Sequence, residues 1–309
     1  MGRYILRRLS QMVVVLIGAT LILFSCLFVI PGDPVGSLAG SDKARDPAVI
    51  AELHHRYGLD DPLATQYVNY VKKLVQGDMG EDFTQRRDVS EILAPKLVNT
   101  AKLAVVAIVF DMVIGMLVGI LAALKRFSIW DTLVTLATTL VVGFPTFVIG
   151  MLMLNTFAVQ LKWVPVIGDP SDPKQIILPA LTLALVDAAL VARLTRGTML
   201  EILRADYVKT AVAKGVPRRQ VLFKHVLRNS VIPVITYVGI SFGSLLGGAL
   251  ITEVIFNWDG IGMAMYTAVQ QQNNPIIIGV ATWGVLIFVV LNLLVDLLYA
   301  VLDPRIRLG

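Results

Sequence analysis

Six long apolar stretches alternate with polar segments along the chain, over about 9–30, 97–124, 131–161, 176–192, 231–256 and 276–302. Each approaches or exceeds the roughly 20 apolar residues that a membrane-crossing helix needs. The fourth is the shortest and has room to continue through Thr195. The third is long and is interrupted by Gly143, Phe144 and Pro145. Proline in a span frees backbone groups that neighbouring helices must satisfy, so a kink is expected there. The pattern predicts an all-α membrane protein with six transmembrane helices.

Composition strengthens that reading. Only 16% of the residues are charged and 56% are hydrophobic, whereas a water-soluble domain carries about 25% charged residues. The net charge of +5 matters less than where the charges fall. With the N-terminus in the cytoplasm, the cytoplasmic pieces hold Arg3, Arg7 and Arg8, then Lys125 and Arg126, nine basic residues from Arg193 to Arg228, and finally Arg305 and Arg307. The short outer segments 162–175 and 257–275 hold only Lys162 and Lys174. Basic residues concentrate on the cytoplasmic side of membrane proteins, so both termini are expected inside. The segment 31–96 carries eight basic and eleven acidic residues, but long loops translocate largely regardless of charge.

The start of the chain also has the look of a signal peptide, with Arg3, Arg7 and Arg8 before an apolar core. The run continues past Cys26 to Ile30, longer than the usual 7–15 residues of a signal core. A retained first span is therefore expected, with Cys26 an inert thiol inside it. A single cysteine excludes an internal disulfide, a zinc knuckle and a CxxC redox pair. His54 and His55 are neighbours, and adjacent helical residues point about 100° apart, which is poor geometry for joint chelation.

One sizeable cytoplasmic segment, 199–230, contains TAVAKGVPRRQVLFKHVLRNSVIP. Before Gly215, MLEILRADYVKTAVAK has good helix formers and ends in small residues. Glycine suits a helix stop, and Pro217 suits the first position of the next helix. In 217–229, Leu222, Phe223, Val226 and Leu227 fall on one arc, interrupted by Arg219, while Arg218, Lys224, His225 and Arg228 fall opposite. The segment reads as two short helices joined by a sharp turn. Three uses fit such a basic amphipathic unit: lying on anionic headgroups, binding nucleic acid, or inserting an apolar face into a partner protein.

Gly215, nine further residues and His225-Val226-Leu227 resemble the EAA loop of ABC importer permeases. DYVKTAVAKGVPRRQVLFKHVLRNSVIP is similar to the dipeptide, oligopeptide and nickel branch of that family. RYILRRLSQM and IPGDPV near the start, RYGLDDPLATQYVNYV and GDMGEDF in the outer segment, and TEVIFNWDGIG, NNPIIIG and NLLVDLLYAVLDPRIR near the end follow the same pattern in the same order. The sequence departs from the pattern in places. The family usually has proline where Asp259 stands, aspartate near Asn273, and serine where Asp82 lies. Arg228 stands where other branches have proline.

The resemblance implies the type I importer permease architecture in a bacterial or archaeal cytoplasmic membrane. The expected organisation is a first span (1–30), an outer loop with short helices (31–96), a permease core (97–302) holding the coupling loop 199–230, and a tail (303–309). It implies a pore subunit for peptides, with nickel or another small solute as the alternative. Its partners would be a second similar permease, one or two ATPase subunits that carry ATP and magnesium, an outer solute-binding protein and membrane lipid, but no nucleic acid. No glycine is followed by lysine, so the GxxxxGK phosphate loop is absent, and no cofactor is expected in this chain. The residues expected to couple to the ATPase are Asp206, Tyr207, Thr210, Ala211, Lys214, Gly215, Arg218, Arg219, Leu222, Phe223 and Leu227, with Ala213 permitting close backbone approach. In the outer segment, Pro31-Gly32-Asp33-Pro34 reads as a turn, and 48–57 and 62–75 as short helices.

Asp111 and Asp187 fall near mid-span with no basic residue of the chain at their depth. Acids there usually face an interior or a water-filled cavity. They either line the path and attract an ammonium group, or rest protonated or hydrogen-bonded to threonines or a partner. Pro145 and Glu253 join them as candidate path residues, and Asp296 reads as structural. An intramembrane enzyme is opposed by the lack of HExxH and of any Cys–His pair. A secondary transporter would leave the EAA-like loop without a purpose and would commonly show inverted repeats.

Overall fold

The computed structural model describes residues 2–28, 47–48, 50–51, 54, 61–82, 85–166 and 168–302. The turn at 31–34, most of the helix expected over 48–57, His55 and the tail 303–309 lie outside the described residues, as do the side chains of Cys26 and Asp296. The described chain is helical apart from turns and a two-residue hairpin, β1 (Glu81–Asp82) with β2 (Arg87–Asp88), paired Glu81 to Asp88 and Asp82 to Arg87. The helices are α1 (Gly2–Phe28), α2 (Leu63–Val75), α3 (Val89–Leu124), α4 (Ile129–Gly143), α5 (Thr146–Met153), α6 (Ile177–Ile202), α7 (Asp206–Ala213), α8 (Arg218–Gln220), α9 (Arg228–Ile255), α10 (Ile261–Gln270) and α11 (Asn274–Leu302).

A helix stands at each of the six predicted spans. Among the described residues, Leu6–Ser25 of α1, all of α3 and all of α6 are each long and apolar enough to cross a membrane. The third span is broken rather than kinked. α4 meets the second half, Thr146–Gln160, at 104°. Phe144 is extended (φ −92°, ψ 136°) and Pro145 (φ −60°, ψ 138°) opens α5. A residue before proline is pushed out of the helical region, so two successive extended residues turn the chain instead of bending it. The second half then loosens into π-helical turns over Leu154–Gln160. The fourth span outruns its apolar stretch by ten residues, because Arg193, Arg196 and Glu201 ride on the same continuous helix.

The chain packs as two units, residues 1–100 with 259–309, and residues 101–258. Packing therefore groups the last span with the first, where the sequence division put it with the second to fifth.

In the first unit α1 lies on α11, and α10 packs on α11. Its core is Val89, Ile92 and Leu93 against Ala264, Ala268, Ile276 and Val280. α2 rests on α1 through Tyr67, whose ring meets Phe24 edge-on at 5.4 Å and whose hydroxyl shares a 3.0 Å hydrogen bond with Thr20. Asp259, where the family pattern has proline, pairs with Lys96, and its carbonyl accepts from Asn99 Nδ2 at 2.8 Å. The departures at Asp82 and Asn273 fall on one contact. Asn273 Nδ2 donates to Asp82 Oδ1 at 3.0 Å, and both side chains are buried. Asn273→Asp would place two carboxyls together without water, which favours neutralising one of them. The expected result is a loss of about 2 kcal/mol in chemical unfolding of the detergent-solubilised protein. Adding Asp82→Ser should recover most of it. An unchanged midpoint in the single variant would refute the pairing.

In the second unit α6 is the central helix, with α4, α5 and α9 packed around it. Leu183, Ala180 and Ala184 of α6 meet Leu103 and Ala107 of α3, Leu245 and Ala249 of α9, and Trp258. Trp258 is 1% exposed, and its backbone N–H donates to Glu253 O at 2.8 Å. At the cytoplasmic end, Arg196 Nε and a terminal guanidinium nitrogen donate to the two carboxylate oxygens of Asp131 at 2.6 and 2.9 Å. Asp131 Oδ2 also accepts from Phe127 N at 3.0 Å. This fork fixes the start of the broken span to α6.

Candidate functional site

The elbow begins where α6 ends at Ile202. The helix expected across 199–214 is in fact split. A turn over 203–205, closed by Leu203 N to Met199 O (2.9 Å) and Ala205 N to Ile202 O (3.0 Å), separates α6 from α7. Ala205 is extended (ψ 146°), and Asp206 opens α7 with an acid in its first turn, where the helix dipole favours negative charge.

α7 ends at Gly215 for a definite reason. Gly215 has φ +80°. Its N–H donates to Val212 O at 3.0 Å, and Val216 N–H donates to Ala211 O at 3.2 Å. These two bonds are the Schellman closure, whose left-handed residue is usually glycine. The accompanying apolar contact is present too, since Val216 and Ala211 are both half-buried in one cluster. Pro217 then starts the return with ψ 139°. It is the cap residue before α8, one position earlier than expected.

The second half of the elbow is not a separate helix. Gln220, Val221, Leu227 and Arg228 all keep right-handed helical angles, so α8 passes through π-helical turns at Val221–Leu227 straight into α9. The elbow is thus a rigid extension of the fifth span. Its buried anchors are Val208, Val221 and Val226, packed on Ala123 at the end of α3 and Met199 near the end of α6. Leu222 is half-buried beside them. Phe223, one of the expected coupling residues, stands 57% exposed, with Tyr207 and Val212 about half exposed. Tyr207 OH accepts from Asn229 Nδ2 at 3.1 Å, tying α7 to the start of α9.

The remaining coupling residues are polar and outward. Asp206, Thr210, Lys214, Arg218 and Arg219 are exposed, while Leu227 is half-buried. Asp206 is paired with Lys209 (2.9 Å), and Thr210 Oγ1 donates to Asp206 O at 2.8 Å. Ala213 is exposed. The result is an anchored inner side, with Tyr207, Val212 and Phe223 among the exposed residues of the elbow beside exposed charges. Val221 and Val208 escaped the sequence reading. Helical spacing from Val226 would have flagged Val221 only at the π-helical interval of five.

Of the candidate path residues, Pro145 is exposed at the break and Asp187 is half-buried on α6, where Tyr237 OH donates to its Oδ1 at 3.3 Å. Asp111 and Glu253 have no exposed surface, so in this conformation they stand behind the wall of any path rather than on it. Neither carboxylate oxygen of Asp111 has a hydrogen-bond partner among the described residues.

A multi-pass helical protein with an anchored cytoplasmic elbow fits a membrane permease. Comparison with known proteins places it. Residues 115–308 match the family of binding-protein-dependent transport system inner membrane components, and residues 1–104 match that group's N-terminal membrane component family. The chain is 37% identical to the dipeptide transport system permease protein DppB of Alkalihalophilus pseudofirmus, over 98% of this chain and 99% of the relative. It is 39% identical to the glutathione transport system permease protein GsiC of Salmonella typhimurium, over 99% of each. A solved amino acid ABC transporter with histidines shares the fold, with a TM-score of 0.53 at 16% identity, over 68% of this chain and 93% of that one. The chain belongs to the inner membrane components of binding-protein-dependent transport systems, the permease subunits of ABC importers.

Proposed function

We propose that this permease forms half of a path for short peptides and is driven through its elbow by a separate ATPase. The observation that carries the substrate class is similarity along the whole chain to a dipeptide permease and a glutathione permease. Both transport small peptidic solutes by name. The elbow supports the driving route. Its inner side is locked to α3 and α6 by Val208, Val221 and Val226, so a force on its outer face passes into the fifth span without slack. Tyr207, Val212 and Phe223 give that face apolar anchors of the kind that fill a partner's groove. Arg218, Arg219 and Lys214 offer charge to acidic groups around it.

On this reading the remaining parts are separate chains. A second, similar permease completes the path. One or two ATPase subunits hold ATP and magnesium, and an outer solute-binding protein delivers the peptide. This chain binds no cofactor of its own. Asp111, Pro145, Asp187 and Glu253 shape the path, with Asp187 and Pro145 nearest its surface.

Phe223→Asp tests the docking face. The side chain is exposed, so folding should be unaffected. A charge in an apolar socket should reduce co-purifying ATPase subunit by about tenfold, and uptake of a labelled dipeptide or glutathione should fall with it. Full ATPase recovery with the variant would remove Phe223 from the interface. Uptake of nickel but of neither peptide by the wild-type system would overturn the substrate class.

A further inference from the structure

The second unit contains a polar cluster, with one member fully buried, that the coupling scheme does not use. α3, α6 and α9 converge around Val191, Val234 and Val238, with Ile108, Met112, Met116, Leu194 and Tyr237 packed against them. Into this apolar junction the three helices bring Asp111, Asp187 and Tyr237. Tyr237 donates to Asp187. Asp111 is fully buried with both oxygens unpartnered among the described residues.

Among the described residues of these three helices, no cation stands at this level. α9 has no lysine or arginine after Arg228. α3 has only Lys102 within its apolar stretch, more than two turns from Asp111. On α6 the nearest is Arg193, six residues from Asp187 and exposed. A carboxylate sealed in low dielectric without a partner is among the costliest groups a protein can hold. The phenol already satisfies one oxygen of Asp187, while both oxygens of Asp111 stay without a partner among the described residues. Acceptor oxygens gathered in a largely apolar junction, one acid among them fully buried, are the chemistry that takes a partly desolvated cation.

We propose that Asp111, Asp187 and Tyr237 form a binding site for one small monovalent cationic group, either a bare alkali ion or a protonated primary amine. If the ligand is the amine, the site deepens the peptide reading, because the amine is then the substrate's own N-terminus and the inference rests on that reading. If it is the alkali ion, the site is independent of substrate and the importer is ion-dependent.

The test measures thermal unfolding of the purified importer complex in nanodiscs at fixed ionic strength. The probes are sodium chloride, methylammonium chloride and, as reference, choline chloride, whose quaternary head is larger than either and has no N–H to donate. One of the two small cations should raise the wild-type midpoint by about 3 °C at ten times its Kd. Asp111→Asn and Asp187→Asn should abolish that rise, and Tyr237→Phe should weaken it. A rise with sodium assigns the alkali ion, and a rise with methylammonium alone assigns the amine. The proposal fails if choline matches both probes, or if the rise survives in Asp111→Asn. An Asp111→Asn complex more stable than wild type in choline and blind to both probes is the supporting pattern. None of these readouts depends on peptide uptake, so a wrong substrate class would leave the result standing.

Discussion

Gly215→Val will reduce solute uptake by about tenfold or more while the assembled importer continues to hydrolyse ATP. The reason lies in one backbone angle. Gly215 has φ +80°, a region that costs an L-residue roughly 1–2 kcal/mol and a β-branched residue more. Space is not the issue, since a Cβ added there meets nothing within 4 Å. Valine must therefore either carry the strain or leave the left-handed region. If it leaves, the bonds from Gly215 N and Val216 N to Val212 and Ala211 are lost. The direction of Pro217, and with it the spacing of Tyr207 and Val212 from Phe223, then changes. A rigid lever becomes a loose one, so ATP-driven closure no longer reaches the fifth span. Gly215→Asn separates backbone from bulk. Asparagine visits the left-handed region readily, so its uptake should stay within about threefold of wild type. Paired uptake and ATPase measurements on reconstituted complexes decide the matter. Normal uptake with valine would detach the elbow's turn from coupling.

What the sequence disclosed follows from which signals are local. Spans are local, because twenty apolar residues in a row have few other uses, and all six places carry a helix. The stop at Gly215 is local too, since a single residue type answers a single backbone demand. The break after α4 was only half visible. Proline announced a disturbance, but a 104° turn needs extended angles at both Phe144 and Pro145, and a packed neighbour to hold the second half. The Asp131–Arg196 fork went unseen, because partners 65 positions apart leave no mark in either neighbourhood. The Asp82–Asn273 contact was hidden in the same way, although both members had stood out singly as departures from the family pattern. The second half of the elbow is not a separate short helix, because amphipathic spacing marks a face and not where a helix ends, and the chain stays helical from Gln220 into α9. The π-helical turns move Val221 inward and leave Phe223 outside.

Gly119→Ala will cost the second unit about 2–3 kcal/mol, and the pair Gly115→Ala with Gly119→Ala will prevent recovery of folded protein from detergent. Gly115 and Gly119 lie one turn apart on α3, on the face that meets α6. A Cβ on Gly119 would stand 2.5 Å from Ala192 O and 2.6 Å from Thr195 Cβ. One on Gly115 would stand 2.6 Å from Val191 Cγ1 and 2.8 Å from Ala188 O. Small residues four apart let two membrane helices approach until backbones touch, and here each glycine has a backbone carbonyl among its obstacles. A carbonyl cannot rotate away as a side chain can, so trimming Thr195 to alanine should not rescue Gly119→Ala. Gly197→Ala supplies the control. It lies within α6 near the same end, but an added Cβ meets nothing within 4 Å, so the usual helical gain of alanine over glycine, about 0.4–1 kcal/mol, should appear. Opposite shifts of the unfolding midpoint for two glycine-to-alanine changes on packed partners would show that the contact, not the residue type, sets the sign. The stake is larger than stability. α6 carries Asp187 and leads into the elbow, so a forced separation of α3 from α6 also opens the buried Asp111 to water and unseats Val221 and Val226 from Ala123 and Met199. A Gly119→Ala protein with unchanged midpoint and unchanged ATPase stimulation would mean that the two helices do not meet as closely as their backbones place them.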